Sequence, residues 1–177
     1  QGIAKTGLID RIAFNTLKFF PATYTGMVVA IMATSTILSP IVPNSYSKCA
    51  VLGPFAASVA KANNIEKGSK AAAGLFCAFF VPAAIHTMAF LTGSAMTFVL
   101  IGMMGEGYSF SWFGWFMCCS VWFAVNLVLT FLFILVYYRP KEKLNISKDL
   151  INRKIAELKP MNSDEKAASV ILILSIL

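Results

Sequence analysis

The sequence predicts an all-α integral membrane protein built on a re-entrant helical hairpin and a broken transmembrane helix. Three observations carry that prediction. The chain is 58% hydrophobic and only 13% charged, against about 25% charged in soluble domains. Residues Ala71 to Gly105 and Gly107 to Tyr138 hold no charged side chain, and each run exceeds the ~20 residues that cross a ~30 Å hydrocarbon core. A polar island, Pro40-Ile41-Val42-Pro43-Asn44-Ser45-Tyr46-Ser47-Lys48, then interrupts the apolar region between Phe19 and Ala60 with a single charge. The apolar runs do not alternate, so they read as helices rather than barrel strands.

The elements follow in order. Residues 1–20 form an interfacial arm. Over Thr6 to Phe20, Leu8, Ile9, Ile12, Ala13, Leu17 and Phe20 keep helical spacing and Arg11, Asn15 and Lys18 take the other face, the pattern of a helix lying along a bilayer surface. Residues 21–63 form the hairpin. Thr25 to Val42 is its first limb, broken by Pro40 and Pro43, and Cys49 to Ala60 is its second. The second limb's apolar run would rise only about 18 Å, short of a crossing.

Residues 70–104 form the broken transmembrane helix. As one helix it would be roughly 50 Å long. It contains Pro82 and the polar break Thr92-Gly93-Ser94, which predicts a helix to about Phe90, an unwound stretch, and a half-helix from about Met96 to Met104. Glu106-Gly107-Tyr108 makes the outer turn. Residues 111–138 return as one span, with Trp112, Trp115, Tyr137 and Tyr138 as interfacial anchors. Residues 139–162 form a cytoplasmic linker with a short helix over Lys148 to Lys159. Residues 163–177 begin a further span, opened by a capping box of Asn162 and Glu165. Both ends read as cut from something longer.

Charge orients the chain. The formal net charge is +7, and all basic residues but Lys48 and Lys166 fall in residues 5–18, 61–70 and 139–159. Lys and Arg near span ends mark the cytoplasmic side, so all three clusters face the cytoplasm and Glu106 the outside. A single crossing between Thr25 and Ala60 would put Lys61, Lys67 and Lys70 outside, which a hairpin avoids. No basic run interleaves with aromatics, which argues against nucleic acid as a partner. Phe79, Phe80, Phe110, Trp112 and Trp115 read as lipid-facing or packing residues. Cys49, Cys77, Cys118 and Cys119 read as small buried hydrophobes, and His86 as a packing residue. No catalytic or metal-binding constellation stands out, so the chain reads as no enzyme, with no cofactor beyond a possible sodium ion.

The chemistry concentrates at the two breaks. Asn44, Ser45 and Ser47 offer neutral oxygens and amides suited to a hard cation or a carboxylate, and Lys48 adds a fixed positive charge. Half-helix N-termini meeting at the midplane supply amide donors to an anion, and unwound carbonyls coordinate sodium. The residues alone reach a re-entrant ion or solute transporter.

The order of motifs resembles one family. Lys5-Thr6-Gly7-Leu8-Ile9-Asp10-Arg11-Ile12-Ala13, the tip Pro43-Asn44-Ser45-Tyr46-Ser47-Lys48, the loop Leu91-Thr92-Gly93-Ser94, Phe110-Ser111-Trp112 with Trp115-Phe116, and Tyr137-Tyr138-Arg139-Pro140 are similar to successive segments of the divalent anion:sodium symporters. These are the di- and tricarboxylate transporters, citrate/succinate and tartrate/succinate exchangers among them. The resemblance implies an elevator-type homodimer with two inverted repeats, of which this chain holds the first, in a bacterial-type inner or plasma membrane. It implies secondary active transport of a small carboxylate anion, sodium-coupled or by exchange. Residue by residue, it carries substrate binding to Asn44, Ser45, Thr92 and Gly93, and cation binding to Asn44, Ser45, Ser47 and Gly93. Here asparagine and serine stand in swapped order at the tip, and Ala95-Met96 follows the loop where relatives often have Pro-Asn. A fixed Lys48 ammonium standing in for sodium accounts for such departures. The alternatives are the same architecture carrying sulfate, arsenite or cation/proton exchange, and a non-transporting membrane anchor.

The hairpin reading makes a topological prediction. In intact cells, Lys61→Cys and Lys70→Cys stay unmodified by an impermeant thiol reagent added outside. External labelling of either position overturns the hairpin.

Overall fold

The computed structural model describes residues 15, 16, 19–21, 23–42, 44–105 and 107–140, with 152, 156, 163, 166, 167 and 170. The arm over Thr6 to Phe20 is thus mostly outside the described residues. Pro43, Glu106 and the capping box of Asn162 and Glu165 lie outside them altogether, and of the helix expected over Lys148 to Lys159 only Asn152 and Ala156 are described.

The described elements are all helical. They are α1 (Tyr24–Ile37), α2 (Ser45–Ala62), α3 (Lys70–Ala84), a 3-10 turn η1 (His86–Ala89), α4 (Ala95–Met103) and α5 (Trp112–Tyr137). Each α-helix opens on a short polar residue whose side chain accepts a backbone N–H: Thr23 for α1, Asn44 for α2, Ser69 for α3, Ser94 for α4 and Ser111 for α5. These caps satisfy donors that have no intrahelical partner, and they decide where the helices start.

Two boundaries differ from the sequence expectation. The second limb runs 18 residues from Ser45, about 27 Å rather than 18 Å. The Asn44 cap lets the helix begin within the polar island, so Ser45, Ser47 and Lys48 belong to its first turn. The shorter limb is α1, 14 residues or about 21 Å. The helix from Lys70 ends at Ala84, six residues before Phe90. Pro82 has no N–H to continue the ladder, and the chain tightens into η1 before extending at Phe90.

Helix α3 is the hub: α1 and α2 pack against it more than against each other, and η1 and α5 lean on it as well. The core joins Met27, Val28 and Ile31 of α1, Leu52, Phe55 and Val59 of α2, and Leu75, Ala78 and Phe79 of α3. Among the described residues, two stretches are long and apolar enough to cross a membrane, Lys70–Ala89 and Trp112–Tyr137. Helix α5 buries only Thr130 and Ile134 and turns Val121, Leu129 and Val136 outward. A helix apolar on every side suits a lipid or protein surround, not water. The cysteines differ from expectation: Cys118 is exposed and the other three are half-buried, all as free thiols.

One residue pins the crossing of α1, α3 and α5. The Tyr24 hydroxyl lies 3.1 Å from the Ala71 carbonyl and 3.2 Å from the Tyr138 carbonyl. Gly74 makes room for it, since a Cβ there would meet that hydroxyl and stand 2.8 Å from Tyr138 Cβ. Tyr24→Phe is expected to destabilise the full-length protein by about 1–2 kcal/mol, and Gly74→Val by more. Thermal unfolding in detergent measures both; a Tyr24→Phe protein as stable as wild type would show that the hydroxyl contributes nothing.

Candidate functional site

Residues of the two breaks meet where the end of α1 passes the unwound stretch after η1. The Thr92 hydroxyl donates to the Pro40 carbonyl at 2.8 Å. Gly93 is buried between two backbones. A Cβ there would collide with the Thr87 carbonyl and lie 3.0 Å from the Ser39 carbonyl, so only glycine lets the stretch approach so closely. The unwound segment and the end of the first limb therefore form one packed unit.

Lys48 sits behind this contact. It is the largest fully buried side chain, at 0% exposure, and its Nζ donates to Ser39 Oγ at 3.3 Å. The Ser39 hydroxyl donates back to the Ser35 carbonyl at 2.9 Å. The ammonium thus ties the first turn of α2 to the end of α1. It has three donors, and no ion pair is described for it. Glu66 is the one acidic side chain among the described residues, and it lies beyond the far end of α2. A buried cation without an anionic partner is costly.

The remaining predicted residues are less convergent. Asn44 is exposed; its amide oxygen accepts the Tyr46 N–H at 2.9 Å, which leaves its NH2 as a free-facing donor. Ser45 donates to the Ala83 carbonyl at 2.7 Å, so it closes the last turn of α3. Ser47 is half-buried in the first turn of α2. No described contact joins Asn44 or Ser47 to Thr92 or Gly93.

The hydroxyl protons of Ser45 and Thr92 both go to carbonyls, which cannot donate back. Toward any third group these two oxygens act only as acceptors, and acceptors suit a cation or an N–H.

The sequence reading missed four residues here. Ser39 is the partner of Lys48. His86 is fully buried, with Nδ1 3.0 Å from Thr36 Oγ1 and Nε2 without a hydrogen-bond partner among the described residues, which makes it more than filler. Its ring stands edge-on to Phe123 at 5.2 Å. Trp112 and Trp115 turn their indole N–H groups onto the broken helix and are not simple interfacial anchors. The signal for Ser39 was the four-residue spacing Ser35–Ser39 at the end of an apolar helix. Nothing in the sequence distinguished His86 or the tryptophans.

With this geometry in hand, comparison with known proteins is direct. The family described as "Sodium:sulfate symporter transmembrane region" matches residues 1–177. The chain belongs to this family. Its members are membrane transporters. A Cupriavidus necator "Membrane protein" is 25% identical over 94% of this chain and 33% of its own length. "Dicarboxylate transporter 1, chloroplastic" of Spinacia oleracea is 26% identical over 99% of this chain and 32% of its own. An "Uncharacterized transporter" of Haemophilus influenzae is 29% identical over 97% and 37%. The chain therefore spans about a third of the length of these relatives. As a segment of this transporter family it is an integral membrane protein.

The uncompensated ammonium yields a stability prediction. Lys48→Met keeps most of the stem's volume and removes the charge, so the thermal midpoint of the full-length protein holds or rises, by up to about 2 kcal/mol in stability. A clear fall in the midpoint would show that the Lys48–Ser39 bond is structural.

Proposed function

We propose that the protein carrying this chain is a secondary active transporter of small di- or tricarboxylates, working by exchange, with Lys48 in the place of a coupling cation. The observation that carries this reading is the Lys48 ammonium, fully buried and held by a serine hydroxyl alone among the described residues. A cation at that position awaits an anion. The spinach relative named a dicarboxylate transporter supports the cargo.

Residues 21–63 act as a re-entrant hairpin. Support comes from α1, too short at about 21 Å to cross, and from the lysines flanking α2. The substrate's carboxylate meets Asn44 through its free NH2 and the amide ends of α2 and α4. The oxygens of Ser45, Ser47 and Thr92 and the backbone around Gly93 surround the positive centre as acceptors, a role they would serve for sodium in a cation-coupled relative. The site is completed by an inverted second repeat outside this chain, and two such proteins pair as an elevator-type homodimer.

The family's description as sodium:sulfate symporters supports a second reading, a sodium-driven sulfate carrier, and one assay separates the two. Full-length protein in proteoliposomes loaded with unlabelled succinate is expected to take up labelled succinate or malate at the same rate with external sodium or choline. Sodium-driven accumulation into vesicles without internal dicarboxylate would reject exchange. Sulfate uptake without dicarboxylate uptake would reject the cargo.

A further inference from the structure

We propose that Trp112 is a positioning residue for the binding stretch, acting through Thr92; the inference rests on the transport reading above. Trp112 is the first residue of α5, twenty positions from the loop it contacts. Its indole Nε1–H donates to Thr92 Oγ1 at 3.2 Å, and the Thr92 hydroxyl donates onward to the Pro40 carbonyl at 2.8 Å. An indole N–H only donates and a carbonyl only accepts, so the direction of both bonds is fixed. The relay therefore runs one way, from α5 through the unwound stretch to the end of the hairpin's first limb.

The relay matters because of what it crosses. Between η1 and α4, the backbone hydrogen bonds described for Leu91 to Ser94 are the Gly93 N–H to the Phe90 carbonyl and the Thr97 N–H to the Ser94 carbonyl, which opens α4. Such a stretch keeps its shape only through outside contacts. Trp112 supplies one polar contact and one apolar contact. Its ring is 6.0 Å from Phe90 and 6.2 Å from Phe116, and Phe90 stacks on Phe116 at 5.4 Å. One turn on, the Trp115 indole donates to the Met88 carbonyl at 3.0 Å. The first turn of α5 thus grips the broken helix before the break and within it, and Trp112 extends the grip through Thr92 to Pro40. Losing its N–H leaves the ring packed and the Thr92 oxygen without its donor. Gly93, whose close approach to Ser39 depends on the neighbouring Thr92–Pro40 bond, then loses its fixed distance from the tip.

The test uses the full-length protein in proteoliposomes. Trp112→Phe, which keeps the ring, is expected to raise the KM for succinate about tenfold with the maximal exchange rate within about twofold. Thr92→Val is expected to do the same, Thr92→Ser, which restores the hydroxyl, to recover most of the KM lost in Thr92→Val, and the double variant Trp112→Phe/Thr92→Val to be no worse than Thr92→Val. A structural packing role would instead lower the maximal rate with the amount of folded protein. A wild-type KM in Trp112→Phe, or single effects that multiply in the double variant, overturns the relay. Hydrogen exchange provides a readout that needs no transport: peptides covering 90–96 and 38–42 are expected to exchange faster in Trp112→Phe and not in Trp115→Phe over 38–42. Should wild type move no dicarboxylate, the transport reading fails, and the exchange measurement still decides the relay; unchanged protection in both peptides refutes it.

Discussion

A helix that breaks inside an apolar layer frees carbonyls that no water can reach, and each must find a donor within the protein. The broken helix and the hairpin answer that constraint for one another. The Ala83 carbonyl at the end of α3 receives the Ser45 hydroxyl from the hairpin. The Pro40 carbonyl at the end of the first limb receives the Thr92 hydroxyl from the unwound stretch. The Phe79 carbonyl receives Ser35 at 3.1 Å, and Met88 receives Trp115. The exchange is reciprocal, so neither break keeps its shape without the other.

This reciprocity constrains what the polar residues can do for a ligand. A serine or threonine whose proton is spent on a buried carbonyl is left as an acceptor. Ser45 and Thr92 are in that position, and so is Ser39, whose oxygen faces Lys48 while its proton goes to Ser35. Among the described contacts, the Ser39 oxygen alone faces the Lys48 ammonium, while Ser45 and Thr92 donate to the Ala83 and Pro40 carbonyls. On the reading proposed above, donors for a carboxylate would come from the Asn44 amide and the opening turns of α2 and α4.

Much of this was legible in the sequence. Long uncharged runs gave the membrane class, because no other solvent accepts such a surface. Gly93 between Thr92 and Ser94 marked a break, because glycine and small polar residues in an apolar run have no packing role there. The polar island marked the break between α1 and α2. What escaped was side-chain direction. Lys48 read as a fixed positive charge beside the tip, and its position one turn into α2 aims it at Ser39. The twelve-residue limb was an error of the same kind: polar residues were taken to end a helix that the Asn44 cap in fact begins. Pro82 was visible, but an apolar run continues through it, and the early end at Ala84 depends on Ser45 arriving from elsewhere to satisfy Ala83. The indole partners of Trp112 and Trp115 are long-range contacts, and periodicity carries no information about them.

A fixed ammonium also changes the energetics of a transport cycle. A sodium ion can leave with the substrate, so an empty carrier returns without charge at its site and an ion gradient can drive it. Lys48 cannot leave. If the binding unit moves through the bilayer empty, it carries an uncompensated cation through a low-dielectric layer, at a cost of several kcal/mol. With an anion bound, that charge is neutralised and the cost falls. On the exchange reading proposed above, the loaded carrier would cross faster in either direction than the empty one, by roughly tenfold for every 1.4 kcal/mol, and obligatory exchange would follow from one buried side chain.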